Sequence, residues 1–185
     1  MDINQIVKLA AKSWSIKILA LMHSGVPGRQ APLLAASGAG RTAFGQSLQY
    51  LIEIGMLERN PGHGHPLRPE FRLTKLGITA AKLAADVLEC LSENDDGFAL
   101  IRKTWTLPIL AAVGEQRRFS EIKLALPSIT DRALSQALVQ LEEKAWLNRE
   151  IVVEGRHPYP SYHAAGMGSK INQVLKLHLK SSGTN

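Results

Sequence analysis

Two rows of polar side chains, about 90 residues apart, carry groups that recognise nucleic acid. One row is Arg41, Thr42, Gln46 and Gln49; the other is Arg132, Ser135, Gln136 and Gln140. Arginine can hydrogen-bond a guanine edge at two points, glutamine an adenine edge, and a serine or threonine hydroxyl a phosphate or a base. Each row lies opposite an apolar series: Phe44, Leu48, Leu51 and Gly55 in the first case, Leu134, Leu138, Leu141 and Ala145 in the second. Spacings of four, three and four put each series on one face of a helix, so the polar row faces outward. Any solvated surface helix shows the same pattern, so the rows need a framework before they imply recognition.

The framework is a repeat. Lys12-Ser13-Trp14-Ser15-Ile16-Lys17-Ile18-Leu19 returns as Lys103-Thr104-Trp105-Thr106-Leu107-Pro108-Ile109-Leu110, 91 residues on. Gln46-Ser47-Leu48 returns as Gln136-Ala137-Leu138, and Leu57-Glu58-Arg59 as Leu147-Asn148-Arg149, both at 90. Phe71 then matches Tyr162, and Gly77 matches Gly168, back at 91. A period of this length is a small domain rather than a solenoid unit. The reading is two copies, 1–92 and 93–185, joined at the polar stretch Ser92-Glu93-Asn94-Asp95-Asp96-Gly97.

Each copy has the same order of elements. A first helix holds the Trp, over Ile3–His23 and Phe98–Val113. A short second helix in copy two is capped by Ser120, has Glu121 in its first turn and ends at Pro127-Ser128. The third helix there runs from Thr130 to Lys144. A strand follows (Leu57–Asn60; Leu147–Val153), then a Gly/Pro-rich turn, a second strand through Phe71 or Tyr162, and a last helix (Ile78–Leu91; Ser169–Leu179). Helix, helix, helix, hairpin, helix is a winged helix-turn-helix. The fold class is mainly α with small β-hairpins, as two tandem winged domains forming a pseudo-dimer.

Composition agrees and excludes alternatives. The formal net charge is +6, with ten Lys and Arg against six Asp and Glu up to Leu91, and twelve against ten beyond. The basic excess is spread through the chain and favours polyanionic partners. The one cysteine, Cys90, rules out an intramolecular disulfide and suits a reducing, cytoplasmic setting; it reads as an inert buried thiol. The N-terminal residues do not form a signal peptide, and no apolar stretch is long enough for a membrane span. The sequence has no nucleophile elbow, metalloprotease helix or deaminase signature, so an enzyme is not expected. His63-Gly64-His65 offers two close ligands, too few for a metal site, and no cofactor is implied. Gly38-Ala39-Gly40-Arg41-Thr42 precedes a helix and can receive a DNA phosphate there; it lacks a phosphate-loop lysine. Gly40 and Gly45 loosen the third helix of copy one.

Further blocks in copy two are Arg118-Phe119-Ser120-Glu121-Ile122, Leu126-Pro127-Ser128-Ile129-Thr130, Leu134-Ser135, Leu141-Glu142-Glu143 and Tyr159-Pro160-Ser161-Tyr162. With the Trp105 block they make residues 98–180 similar to the HxlR-type winged-helix transcription regulators of bacteria. Copy one resembles them more weakly, through its Trp block, Leu57-Glu58-Arg59 and Phe71-Arg72-Leu73-Thr74. The resemblance implies a DNA-binding regulator of a kind that pairs as homodimers and answers to small molecules or redox state. Cys90 is followed by Leu91 where many such proteins have Cys-Pro, which argues against redox sensing here.

The expectation is therefore a sequence-specific repressor acting on double-stranded DNA as a single-chain pseudo-dimer, alone or paired with a second chain, under a small-molecule effector. The DNA contacts expected are Arg41, Thr42, Gln46, Gln49 and Arg68 in copy one, and Arg118, Thr130, Arg132, Ser135, Gln136 and Arg156 in copy two. Trp14 and Trp105 are core aromatics first and ligand-pocket candidates second. The competing expectation keeps the fold but has it bind a small molecule or a protein without reading DNA.

Overall fold

The computed structural model describes residues 1–60, 69–91, 96–114, 116–153 and 157–180. Packing divides the chain into two compact units. One is Lys8–Arg102; the other joins Met1–Val7 to Lys103–Asn185. The repeat divides the chain at residues 92 and 93, whereas packing divides it at Arg102 and assigns the first seven residues to the later unit. A short helix, α1 (Ile3–Ala10), runs across that first boundary.

The unit Lys8–Arg102 contains α2 (Ser15–His23), α3 (Gln30–Ser37), α4 (Arg41–Glu53), β1 (Leu57–Asn60), β2 (Glu70–Leu73), α5 (Lys75–Glu89) and α6 (Gly97–Ile101). Helix α5 lies along α2, and β1 pairs antiparallel with β2. Ile18, Leu19, Leu33, Phe44, Leu51 and Leu83 are fully buried and form its core. Removing such side chains from water is the main favourable contribution to the fold.

The other unit repeats the order with α7 (Thr106–Ala112), α8 (Phe119–Ala125), α9 (Asp131–Glu143), β4 (Leu147–Val152), β5 (Tyr159–Ala164) and α10 (Gly166–Lys180). It adds a two-residue strand, β3 (Arg117–Arg118), which pairs with β5 and makes the sheet β3-β5-β4 where only a hairpin was expected. Buried Asn172 on α10 donates to the carbonyls of Leu110 and Val113, at 2.6 and 2.8 Å, and so closes the end of α7. No helix among the described residues is long and apolar enough to cross a membrane.

Several expected boundaries change. The single first helix is two in each copy, broken ahead of α2 and α7 at Trp14 and Trp105. Both Trp residues have nearly the same backbone, φ −107°, ψ −1° and φ −99°, ψ −6°. Pro108 lacks the N–H that would extend a helix backwards, but Lys17 stands at its place in the first copy, so proline is not the common cause. In the first copy the Trp14 N–H is taken by the Ser47 hydroxyl at 3.3 Å. The N-cap of α8 is Arg118, not Ser120, because the chain leaves β3 directly into the helix; Glu121 accepts from the Arg118 N–H at 2.7 Å. Gly40 is the N-cap of α4 rather than an interior residue, so Gly45 alone loosens that helix.

The fourth members of the two apolar series also change. Gly55 and Ala145 do not extend the buried stripe; each sits just past its helix at positive φ, +72° and +54°. The next N–H reaches back to the last buried leucine, Met56 to Leu51 and Trp146 to Leu141, which completes a left-handed helix stop in both copies. The last helices start earlier than expected, at Lys75 and Gly166. Thr74 caps α5 by accepting from the Gly77 N–H at 3.0 Å.

Candidate nucleic-acid interface

The third helix of each unit stands on a helix-turn-helix. In the later unit, Ile122 of α8, Leu126 and Ile129 of the turn, and Leu134 of α9 are buried together in sequence order and fix the angle between the helices. Thr130 caps α9, its hydroxyl accepting from the Ala133 N–H at 3.2 Å. Lys123 donates to the Ile129 carbonyl and pairs with Asp131 at 3.1 Å, which ties the turn to the helix start. The exposed face of α9 then carries Arg132, Ser135 and Gln136. None of these three side chains has a hydrogen-bond or ion-pair partner among the described residues. Val139, 52% exposed, continues the same face. Gln140 is half-buried and accepts from Lys103 at 2.9 Å, so it is held against the body.

In the first unit, α4 presents Arg41, Thr42, Gln46 and Gln49, all exposed. Gln49 donates to Glu53 at 3.3 Å. Half-buried Tyr50 has its hydroxyl pKa raised, by burial first and by Glu53 second, and so stays a neutral hydrogen-bonding group. In its own unit, each helix leaves these side chains exposed to solvent.

The remaining expected residues are more varied. Arg118 is exposed on β3, with its guanidinium stacked on the Tyr159 ring 3.5 Å from the centroid. Its charge is thus held over the sheet rather than on a free loop. Arg68 and Arg156 lie outside the described residues, as do His63 and His65. Arg72 shares Glu70 with Arg29, at 3.7 and 3.4 Å, so part of its charge is already matched. Among the described residues no cluster of His, Cys, Asp or Glu could hold a metal ion.

The two tryptophans differ. Trp14 is buried in its unit against Phe98, ring centroids 5.6 Å apart, with the Arg102 guanidinium 4.7 Å from its ring. Packing accounts for it. Trp105 is half-buried and lines a concavity of about 200 Å³ with Lys103, Thr106, Ala133, Gln136 and Ala137. Cys90 is half-buried just beyond α5, with its Sγ 3.4 Å from the Asp86 carbonyl, rather than fully buried.

Two further arginines belong beside these helices, and the polar rows alone did not show them. In the first unit, Gly45, Leu48, Gln49, Ile52, Arg59 and Phe71 line a concavity of about 190 Å³ between α4 and the strands. In the later unit, Ser135, Leu138, Val139, Glu142, Arg149 and Tyr162 line one of about 180 Å³ between α9 and the strands. These residues correspond position by position under the repeat. Arg59 pairs across the sheet with Phe71, and Arg149 with Tyr162. Both arginines are exposed, and neither has an ion-pair partner among the described residues. The signal was present in Leu-Glu-Arg and Leu-Asn-Arg, which mark the repeat, but strand residues do not fall in a helical polar row.

An exposed, unpaired polar helix face seated on a helix-turn-helix, with a sheet beside it, is the surface that winged DNA-binding domains lay in a major groove. Residues 100–184 match the HxlR-like helix-turn-helix family. This HxlR-like half comprises α7 to α10 and the three-stranded sheet, a little under half of the chain. The matched stretch contains the helix-turn-helix α8 and α9, on which the exposed face of α9 stands. Comparisons with curated proteins and with solved structures gave no match.

Proposed function

We propose that this chain is a sequence-specific DNA-binding transcription regulator in which both units read DNA as a single-chain pseudo-dimer. The observation that carries this reading is the unpartnered face of α9, Arg132, Ser135 and Gln136, on the helix-turn-helix of the HxlR-like half. The same order of elements in Lys8–Arg102, with Arg41, Thr42 and Gln46 exposed on α4, supports a second reading unit. The two faces differ in sequence, so the operator consists of two unlike half-sites rather than a strict palindrome. In such proteins half-sites lie about one helical turn apart. Repression by occupying the operator is the mode to test first.

Footprinting of the full chain on the DNA upstream of its own and neighbouring genes tests the reading. Protection of a site with two unequal halves is expected, with affinity that falls steeply as salt rises. Absence of protection and a flat salt dependence would instead favour a module that binds a small molecule or a protein without DNA.

A small-molecule effector is supported by the concavity beside Trp105, which touches Gln136 on the reading face. A ligand there would alter the helix that meets DNA. Quenching of tryptophan fluorescence by candidate metabolites, paired with a change in the footprint, tests this role.

A further inference from the structure

We propose that Arg59 and Arg149 are a matched pair of phosphate contacts, each taking one backbone phosphate of the bound DNA beside its reading helix. This rests on the DNA-reading function proposed above and adds the residues that position the chain on the duplex.

The first argument is placement. Each arginine projects from the same sheet face as a buried aromatic on the neighbouring strand, Phe71 or Tyr162. Each lines a concavity walled by a buried leucine, Leu48 or Leu138, and by the exposed side of the reading helix. The apolar wall suits the stem of the side chain, while the guanidinium stays in water. A reading helix in the major groove leaves the groove's edge, a phosphate strand, at its flank, and each concavity lies at that flank, between the helix and the strands. A guanidinium fork matches two phosphate oxygens.

The second argument is what varies and what does not. Under the repeat, the helix positions lining these concavities change: Gly45 becomes Ser135, Gln49 becomes Val139, and Ile52 becomes Glu142. Groups that read bases are free to differ between unlike half-sites. The arginine is the same in both. Every nucleotide carries the same phosphate, so a backbone contact has no reason to change with the sequence being read. Glu142 adds a carboxylate to the later concavity only, so the Arg149 contact is the weaker of the two.

Full-length protein is titrated with the footprinted operator duplex and with a random duplex over a range of salt, as wild type, Arg59→Gln, Arg149→Gln and Arg149→Lys. Each Gln variant is expected to weaken binding to both duplexes by the same several-fold factor and to lower the slope of log affinity against log salt by about 1. Arg149→Lys should recover the slope. Melting temperatures should be unchanged, because both side chains are exposed. An unchanged slope in the Gln variants overturns the proposal, as does a loss confined to the operator, which would make these arginines base readers. A flat slope for the wild type on both duplexes overturns the DNA-reading function itself, and that outcome is seen before any variant is made.

Discussion

The backbone N–H of Trp14 donates to the hydroxyl of Ser47, 3.3 Å away and out of contact with water. One bond thus links the break ahead of α2 to the middle of the third helix, α4. Ser47 also donates to the Ala43 carbonyl at 2.9 Å, so both its roles are filled. Ser47→Ala removes the acceptor and leaves a buried donor unmet, at a cost of about 1–3 kcal/mol. Denaturant unfolding followed by circular dichroism should show it as a lower midpoint with an unchanged slope. The later unit has Ala137 at this place, so the same bond cannot form there.

Ala145 occupies the left-handed position that Gly55 fills in the first unit. A Cβ at positive φ costs roughly 1–2 kcal/mol. Ala145→Gly is therefore expected to stabilise the HxlR-like half by about 1 kcal/mol, after allowing for the looser unfolded chain of glycine. For a unit of this size that is a rise in melting temperature of about 4–8 °C. Thermal unfolding by calorimetry reads it directly; a fall would show that the alanine methyl packs better than its backbone suggests.

Gly168 faces the Trp146 carbonyl so closely that any side chain there would overlap it, and Gly77 meets the Met56 carbonyl in the same way. The start of each last helix is pressed onto the start of the first long strand. Gly168→Ala should destabilise its unit by about 1–3 kcal/mol or more, as an overpacked contact against unyielding backbone. The change should appear as a lower melting temperature for that unit in thermal melts of the full chain. Gly77→Ala should do the same for the other unit.

Arg132→Ala should weaken operator binding by about 1–3 kcal/mol if the side chain reads a base, with little effect on random DNA. Competition titrations with both duplexes separate the two. An equal loss on both would make Arg132 a phosphate contact instead.

Phe98 belongs to the second copy by sequence but is packed on Trp14 within the unit Lys8–Arg102. Phe98→Ala should cost that unit about 2 kcal/mol, less than the 3–5 typical of a fully buried phenylalanine, because Phe98 is half-buried. It should also shift Trp14 fluorescence. A loss falling on the other unit would contradict the packing described.

The legible parts of the sequence were the periodic ones. Phe44, Leu48 and Leu51, with Leu134, Leu138 and Leu141, predict two amphipathic helices and hence the outward placement of Arg41 and Arg132; all six apolar residues are buried. The hairpin strands after them followed from Leu57 and Leu147. What was not legible depended on contacts across sequence. The breaks at Trp14 and Trp105 lie inside segments of continuous helical propensity, and one is held by Ser47, 33 residues away. Strand β3 is two residues long and exists only because β5 offers an edge to it. Arg59 and Arg149 sit on strands, and their relation to the third helices comes from the sheet folding beside them.

The grouping of Met1–Val7 with Lys103–Asn185 has a consequence in time. The chain is made from its N-terminus, so Ile6, fully buried in the finished protein, is synthesised long before any residue of Lys103–Asn185 that completes its unit. The unit Lys8–Arg102 needs only a continuous stretch and can close while the rest is still being added. The Met1 ammonium finally donates to the His178 carbonyl at 3.1 Å, a contact spanning 177 positions. Birth order and assembly order are thus reversed for these first residues, and the later unit, with its exposed helix α9, is the last to be finished.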